Sequence, residues 1–550
     1  MEKQKTIGEA KVWLAGLGLT FGLAMTVSIL ALIIYYGLGV FWPKDVITAN
    51  VPVSLAIEDK QGIKSQKFLG IEVKRVEQQL PGKQTGPAPV SVQFYTANRD
   101  AYGSTFVFIP EKDLTIETER NPKVMLIERE TDSRAMVIPL ELTADGKVFD
   151  IDDANFQTQF DAALETADKK RKQAEHIIHG DLRQLSHTLK KLKVEVYVNE
   201  RDGVDTTELL TEIETLKKLA DQKSTEVNLI LKEQNKDNLK VQVSGGMTYD
   251  LSIGNIIRYN FPNQLTTMGK LALFFDNIYE YVTASPREAN TEGGIFPAIV
   301  GTLVMTIIMC IPVTFFGVIT AIYLHEYAKE SLLTRSIRIA INNLAGVPSI
   351  VFGAFGLGFL IYVVGVRVDE LFFSDWKAAT GEPVFGGGGL LWASLTLALM
   401  TLPVVIVSTE EALASVPSGL REGAMGCGAT KWQSIWTIIL PSATPGIITG
   451  MILAMARGAG EVAPLMLVGV IKVVHALPVD FTAPFVHLDQ KFMHLGFHIY
   501  DLGFQSPDSE AAKPMVYATT LFLILTVTVL NLTGIIIRQR LKKRYASTAF

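Results

Sequence analysis

The chain has 550 residues, with 51 Lys and Arg against 56 Asp and Glu, a formal net charge of −5. Hydrophobic residues make up 48% and charged ones only 19%, below the globular average, with a mean hydropathy of +0.26. That balance points to a membrane protein, and so small a net charge offers no electrostatic case for binding nucleic acid.

Six segments are apolar for the roughly 20 residues a helix needs to cross a bilayer. They run about Leu14–Tyr36, Pro297–Leu324, Ala345–Val364, Leu390–Ser408, Pro445–Val470 and Val516–Ile537. The first is read as a retained anchor. Its run is too long for a cleaved signal, and Tyr36 to Trp42 offers no A-x-A cleavage site. Residues 1–40 therefore form a short tail and an anchor.

Residues 41–295 follow as a large insert. Around 50–150, short alternating runs such as Val90–Tyr95 and Val124–Ile127, punctuated by Gly and Pro, predict strands. Around 155–237 the apolar residues fall at steps of three and four: Phe160, Leu164 and Ala167 onward to Leu192, then Leu209, Ile213 and Leu216 onward to Ile230. That is a coiled-coil seam. Asn199 to Gly203 marks the turn of an antiparallel hairpin, expected to reach on the order of 50 Å from its base at 1.5 Å per residue. Its mixed charges read as a solvated face. The insert has no cysteine, Cys310 and Cys427 both lying beyond it, so no disulfide can form there.

Residues 296–540 hold the other five spans, and 541–550 form a basic tail. Lys and Arg mark the cytoplasmic side. Lys3, Lys5 and Lys11, then Lys329, Arg335 and Arg338, then Arg421 and Lys431, then Arg538 to Arg544 all fall on one side if the N-terminus is cytoplasmic. Both termini are then inside, and the insert is extracytoplasmic.

Between the fourth and fifth spans stand Glu422-Gly423-Ala424, then Gly428, then Ile438, Leu440 and Pro441. Gly428 can adopt a positive φ without penalty, and Pro441 restricts the backbone where the next span is expected to begin. Arg457 and Glu461 lie i, i+4 in an apolar span. A charge there costs about 2.5–3.5 kcal/mol on insertion scales and so faces a bundle interior or a wet cavity. The two can pair on one face, either to orient the helix or to line a pathway.

Asn342 and Asn343 read as a cap at the start of the third span, with Gly346, Gly353, Gly356 and Gly358 allowing close helix packing. Gly386 to Gly389 reads as a flexible lead-in. His325, His475, His487, His494 and His498 have no regular ligand spacing, so no metal is expected. No G-x-x-x-x-G-K-[ST] occurs, so the chain itself is not expected to bind ATP or any cofactor.

The loop spacing resembles the E-A-A-x3-G-x9-I-x-L-P motif of type I ABC importer permeases, with Gly423 at the second position. Further phrases, among them Asn343 to Gly353, Leu402 to Ile406 and above all Ala456 to Leu465 with its Glu461-Val462-Ala463-Pro464-Leu465 ending, resemble phosphate-importer permeases of the PstA type. The resemblance covers about 290–540. It implies an α-helical integral membrane protein of the bacterial inner membrane, with six transmembrane helices, a type I permease core and an extracytoplasmic α+β insert containing the hairpin.

It also implies the partners: a homologous second permease chain, a cytoplasmic ABC ATPase dimer, a soluble extracytoplasmic phosphate-binding protein, inorganic phosphate and membrane lipid. Glu422, Gly423, Ala424, Gly428, Ile438, Leu440 and Pro441 would couple to the ATPase, the loop forming two short helices joined at the glycine. Arg457 and Glu461 would line the pathway. Arg suits phosphate because its planar fork can give two parallel hydrogen bonds. A permease for molybdate or sulfate would use the same loop, whereas a sensor or scaffold would need neither the loop nor the buried pair. The insert departs from the compact members of the family.

Overall fold

In the computed structural model the described residues are 10–58, 64–77, 90–243, 246–287, 290–474, 476–480, 485–506 and 509–546. Among them are six helices long and apolar enough to cross a membrane: Val12–Gly39, Phe296–Tyr327, Ser349–Phe372, Leu390–Ala414, Lys431–Gly460 and Ala512–Lys543. The fourth is the most enclosed and packs against the second and fifth, so these three form the centre of the bundle. Met305, Met309, Leu397, Met400 and Ala454 fill the space between them.

Small residues let the helices meet. A Cβ on Gly301 would lie 2.0 Å from the Met493 carbonyl oxygen, one on Gly353 2.6 Å from Pro464, and one on Gly356 2.4 Å from the Thr396 hydroxyl. Gly353 and Gly356 are thus packing glycines, as expected. Gly346 meets only its neighbour Asn343, and Gly358 faces open space.

Two sequence readings fail here. Asn342 and Asn343 do not cap the third span. They end a separate helix, Leu332–Leu344, and the span starts after Pro348. Nor is the tetraglycine run a flexible lead-in. Gly386 donates its N–H to the buried Asp369 carboxylate, and side chains at Gly388 and Gly389 would strike the backbone of Val468 and Asp489.

Beside two short pairs, Ile57–Glu58 with Lys64–Ser65 and Pro286–Arg287 with Glu292–Gly293, the insert holds two larger antiparallel sheets. One orders its strands Phe106–Pro110, Val90–Tyr95, Lys67–Glu77, Ile47–Asn50 and Thr115–Ile116. The other runs Thr248–Ser252, Asn238–Gln242, Ala135–Ala144, Met125–Arg129 and Ile256–Asn260, with Lys147–Asp150 beside Ala135–Ala144. Strand pairing therefore resumes after the hairpin, at 238–260, where the sequence reading placed none. The hairpin leaves and re-enters the second sheet.

Its first arm is helical from Phe156 to Arg201 and its second from Thr207 to Gln234. The turn falls at Gly203, with φ +71. The seam buries Ala174, Ile177 and Val227 near the base and Leu192, Val196 and Ile213 near the tip. The arm does not simply project away. It leans on the permease loops through Arg201–Asp375 (2.7 Å), Lys190–Glu382 (2.6 Å) and Arg183–Asp480 (3.1 Å).

Candidate functional site

The sequence between the fourth and fifth spans forms a helix at Ser418–Gly426, a turn at Gly428 and a second helix from Lys431. The first helix closes with Cys427 N–H donating to the Gly423 carbonyl, and Gly428 N–H to that of Met425. Gly428 then takes φ +87, where a Cβ would strain the backbone although no neighbour lies within 4 Å. Thr430 and Gln433 make a reciprocal capping box that starts the second helix.

That second helix does not stop at Pro441. Wide turns at Ile435–Ile439 absorb the amide that Pro441 lacks, and the helix runs on through Leu440–Gly460. The fifth span is therefore Lys431–Gly460, and the expectation of a start near Pro445 is corrected.

Ile435 and Ile439 are buried against Ile322, Leu324, Ile406 and Leu413, with Leu440 packed at the edge and Ile438 and Pro441 half-buried. On the other face Glu422, Gly423 and Gly428 are exposed, together with Leu420, Met425, Trp432 and Trp436, while Ala424 is buried. The loop thus presents an apolar, aromatic surface around the glycine turn.

It is also fastened. Arg421 Nη2 donates to the Leu413 carbonyl at 2.6 Å and pairs with Glu326 at 3.2 Å, at the end of the second span nearest the loop. Lys431 Nζ donates to the Glu326 carbonyl, and Arg338 pairs with Glu410 at 3.5 Å. Glu326 and helix Leu332–Leu344 were missed as parts of this assembly. The Arg335 and Arg338 charges had marked the side of the membrane but not the helix.

At the far end of the fifth span, Arg457 Nε lies 3.7 Å from Glu461 Oε1. Both side chains are partly exposed, at 36% and 24%. They do not share one continuous helical face. The helix ends at Gly460, and Glu461 is extended, with φ −82 and ψ 137. Glu461 therefore reaches Arg457 from just beyond the helix end.

Leu453, Arg457 and Gly460 lie on the less covered face of the helix, while Ile452, Ala454, Gly458 and Ala459 are buried. Gly458 meets the Met309 sulfur of the second span, at 2.6 Å from where its Cβ would be. The chain after Glu461 turns back into the bundle: Leu495 N–H donates to Thr302 Oγ1 at 2.9 Å, and His494 Nδ1 accepts from Gly496 N–H at 3.1 Å. His487 pairs with Asp480 at 3.0 Å. His475 lies outside the described residues.

A bundle of six helices long and apolar enough to cross a membrane, with a fastened loop at one end and a paired charge at the other, has the build of an integral membrane protein. Residues 313–547 match the model of the binding-protein-dependent transport system inner membrane component. A phosphate transport system permease protein PstA of Mycobacterium leprae is 38% identical over 197 residues, covering 35% of this chain and 57% of that protein. The chain thus spans just over half the length of that curated relative.

The probable ABC transporter permease protein YqgI of Bacillus subtilis is 30% identical over 46% of this chain and 81% of its own length. Phosphate transport system permease protein PstA 2 of Mycobacterium bovis is 32% identical over 46% of this chain and 74% of its own. The chain belongs to the family of ABC transporter permeases and is of the PstA type.

Proposed function

We propose that this chain is the membrane-spanning permease subunit of an ATP-driven importer of inorganic phosphate in the bacterial inner membrane, with both termini cytoplasmic. The observation that carries the reading is the single helix Lys431–Gly460. It begins three residues after the Gly428 turn and carries Arg457 near its other end. Its 30 residues span about 45 Å. A displacement of Trp432 or Lys431 at the inner end therefore moves Arg457 as part of the same body.

ATP is hydrolysed on a separate ATPase dimer, which docks on the exposed surface of Leu420, Met425, Trp432 and Trp436. Glu422, Ala424 and Gly428 shape that surface, while Ile438, Leu440 and Pro441 seat the helix start against the bundle. A second permease chain covers the face of Leu453, Arg457 and Gly460. The pathway lies between the two chains, supplied by a soluble phosphate-binding protein.

In it Arg457 offers a planar fork to the oxyanion. Glu461, off the helix end, holds the guanidinium in place and weakens the hold on the anion. Conduction requires binding that is strong enough to enter and weak enough to leave.

The test is uptake of radiolabelled phosphate by phosphate-starved cells lacking the chain, with and without the chain restored, against excess molybdate or sulfate. Restored uptake that only phosphate competes supports the reading. Competition by molybdate or sulfate assigns the permease to that oxyanion instead.

A further inference from the structure

Where the insert meets the membrane helices, a cavity of about 250 Å³ has two unlike walls. One is apolar and made by helix ends: Val40, Phe41 and Trp42 after the first span, Leu273 from helix Thr267–Thr283, and Met515 at the start of the sixth. The other is charged and made by the insert: Glu128, Arg134, Arg258, Arg287 and Glu292.

The charged wall is a network in a lining where cations outnumber carboxylates. The buried Glu128 accepts from Arg134 at 2.6 Å and from Arg258 at 2.6 Å, with Arg287 at 3.6 Å. Glu280 takes Arg258 at 2.6 Å and Arg287 at 2.9 Å. Arg258 also lies 3.4 Å from Asp276, and the lining as a whole sets Lys44, Arg99, Arg134, Arg258 and Arg287 against Glu128, Glu280 and Glu292. Burial pushes the Glu292 pKa up more than its arginine neighbours lower it. The Nε atoms of Arg134 and Arg287 and the Oε2 atom of Glu292 are buried without a hydrogen-bond partner. Buried donors without partners are rare in folded proteins and call for a ligand or water.

The depth of the cavity is set independently. Helix Thr267–Thr283 turns Tyr281 inward, where its hydroxyl bonds Thr519 of the sixth span at 2.7 Å. It leaves Met268, Leu271, Phe275 and Tyr279 exposed at helical spacing. An exposed apolar and aromatic stripe beside the end of the first span is the pattern of a helix lying in the membrane interface. The stripe continues the uncovered apolar surface of the first span, from Val12 through Tyr36. Gly37 of that span packs against Tyr517 and Leu521 of the sixth, just below the cavity wall formed by Gly39 to Trp42 and by Pro514 and Met515.

We propose that the cavity binds an anionic phospholipid of the outer leaflet, its phosphate held by Arg134 and Arg287 and its acyl chains lying against the apolar wall and the exposed face of the first span. The shared chemistry is a phosphate oxyanion on paired guanidinium groups. A free ion would use the charged wall alone, whereas a lipid uses both walls. The assignment does not depend on which anion the permease carries.

The full-length chain, purified in detergent, is titrated with phosphatidylglycerol or phosphatidylcholine, and bound lipid is counted by native mass spectrometry. Parallel samples contain a large excess of inorganic phosphate. Arg287→Gln removes a cation, and Val73→Trp, on the strand Lys67–Glu77 that also lines the cavity, fills it while leaving the network intact, so a folding defect in the first does not decide the result. Phosphatidylglycerol should bind in preference to phosphatidylcholine, resist inorganic phosphate, and weaken about tenfold in both variants. Equal binding of the two lipids, or unchanged binding in Val73→Trp, overturns the proposal. Displacement of phosphatidylglycerol by inorganic phosphate overturns the lipid assignment and gives the site to the free ion.

Discussion

The permease core and the insert are held together by opposite means. In the core, contacts are made where side chains are missing: Gly301, Gly353 and Gly356 let backbones approach, as small residues do where lipid supplies no hydrophobic drive between helices. At the base of the insert, contacts are made by charge, with one buried glutamate among three arginines. A core of the first kind fails by overpacking, and a junction of the second kind fails when its charge balance is broken. The same size of substitution should therefore act differently in the two regions.

The largest effect is expected at the charged junction. Glu128→Ala leaves three guanidinium groups without their central partner, a loss of about 3–5 kcal/mol for a broken buried pair. Proteolysis of the insert should rise sharply while the spans stay in the membrane. The same carboxylate sets a pH dependence. Burial works to raise its pKa, but the arginines, Arg134 foremost, outweigh that and hold it at about 2, against 4.5 ordinarily. A depressed carboxylate stabilises the fold above its unfolded pKa and loses that contribution as pH falls. Protection of the insert should weaken between pH 4.5 and 2, whereas Glu292, shifted upward, adds stability as pH falls only above pH 4.5.

In the core, Gly301→Val places a side chain on the Met493 carbonyl and should cost about 3 kcal/mol or more. The fraction of chain surviving detergent extraction as a single species measures it, and wild-type recovery would contradict the packing account. Gly428→Val meets no neighbour but forces a β-branched residue to φ +87, at about 1–2 kcal/mol. Insertion should be normal and ATP hydrolysis uncoupled from transport.

The smallest effect separates the two motif glycines. Gly423 is helical with open space around it, so Gly423→Ala should stabilise slightly, by up to about 1 kcal/mol, and keep coupling. Uncoupling by Gly423→Ala would mean that the docking partner needs the missing methyl.

Hydropathy showed the six spans, and spacing showed the hairpin seam, because both patterns repeat locally. The loop residues could be named through their resemblance to a family motif, and the Arg457–Glu461 pair because both charges stand in an apolar run. What escaped the sequence depends on context. Pro441 reads as a boundary, yet wide turns at Ile435–Ile439 carry the helix through it. Glu461 reads as helical by spacing, yet the helix stops one residue earlier. The tetraglycine reads as flexible, but the partners that fix it, Asp369, Val468 and Asp489, lie far along the chain. The junction network joins residues from 128 to 292, and no local period marks it.

The most direct test of the central claim measures phosphate uptake and ATP hydrolysis together in the assembled transporter carrying Arg457→Ala. Uptake should be lost while the complex still assembles and hydrolyses ATP, since Arg457 lies at the far end of the fifth span from the loop. Normal uptake by the variant would remove Arg457 from the pathway and contradict the account.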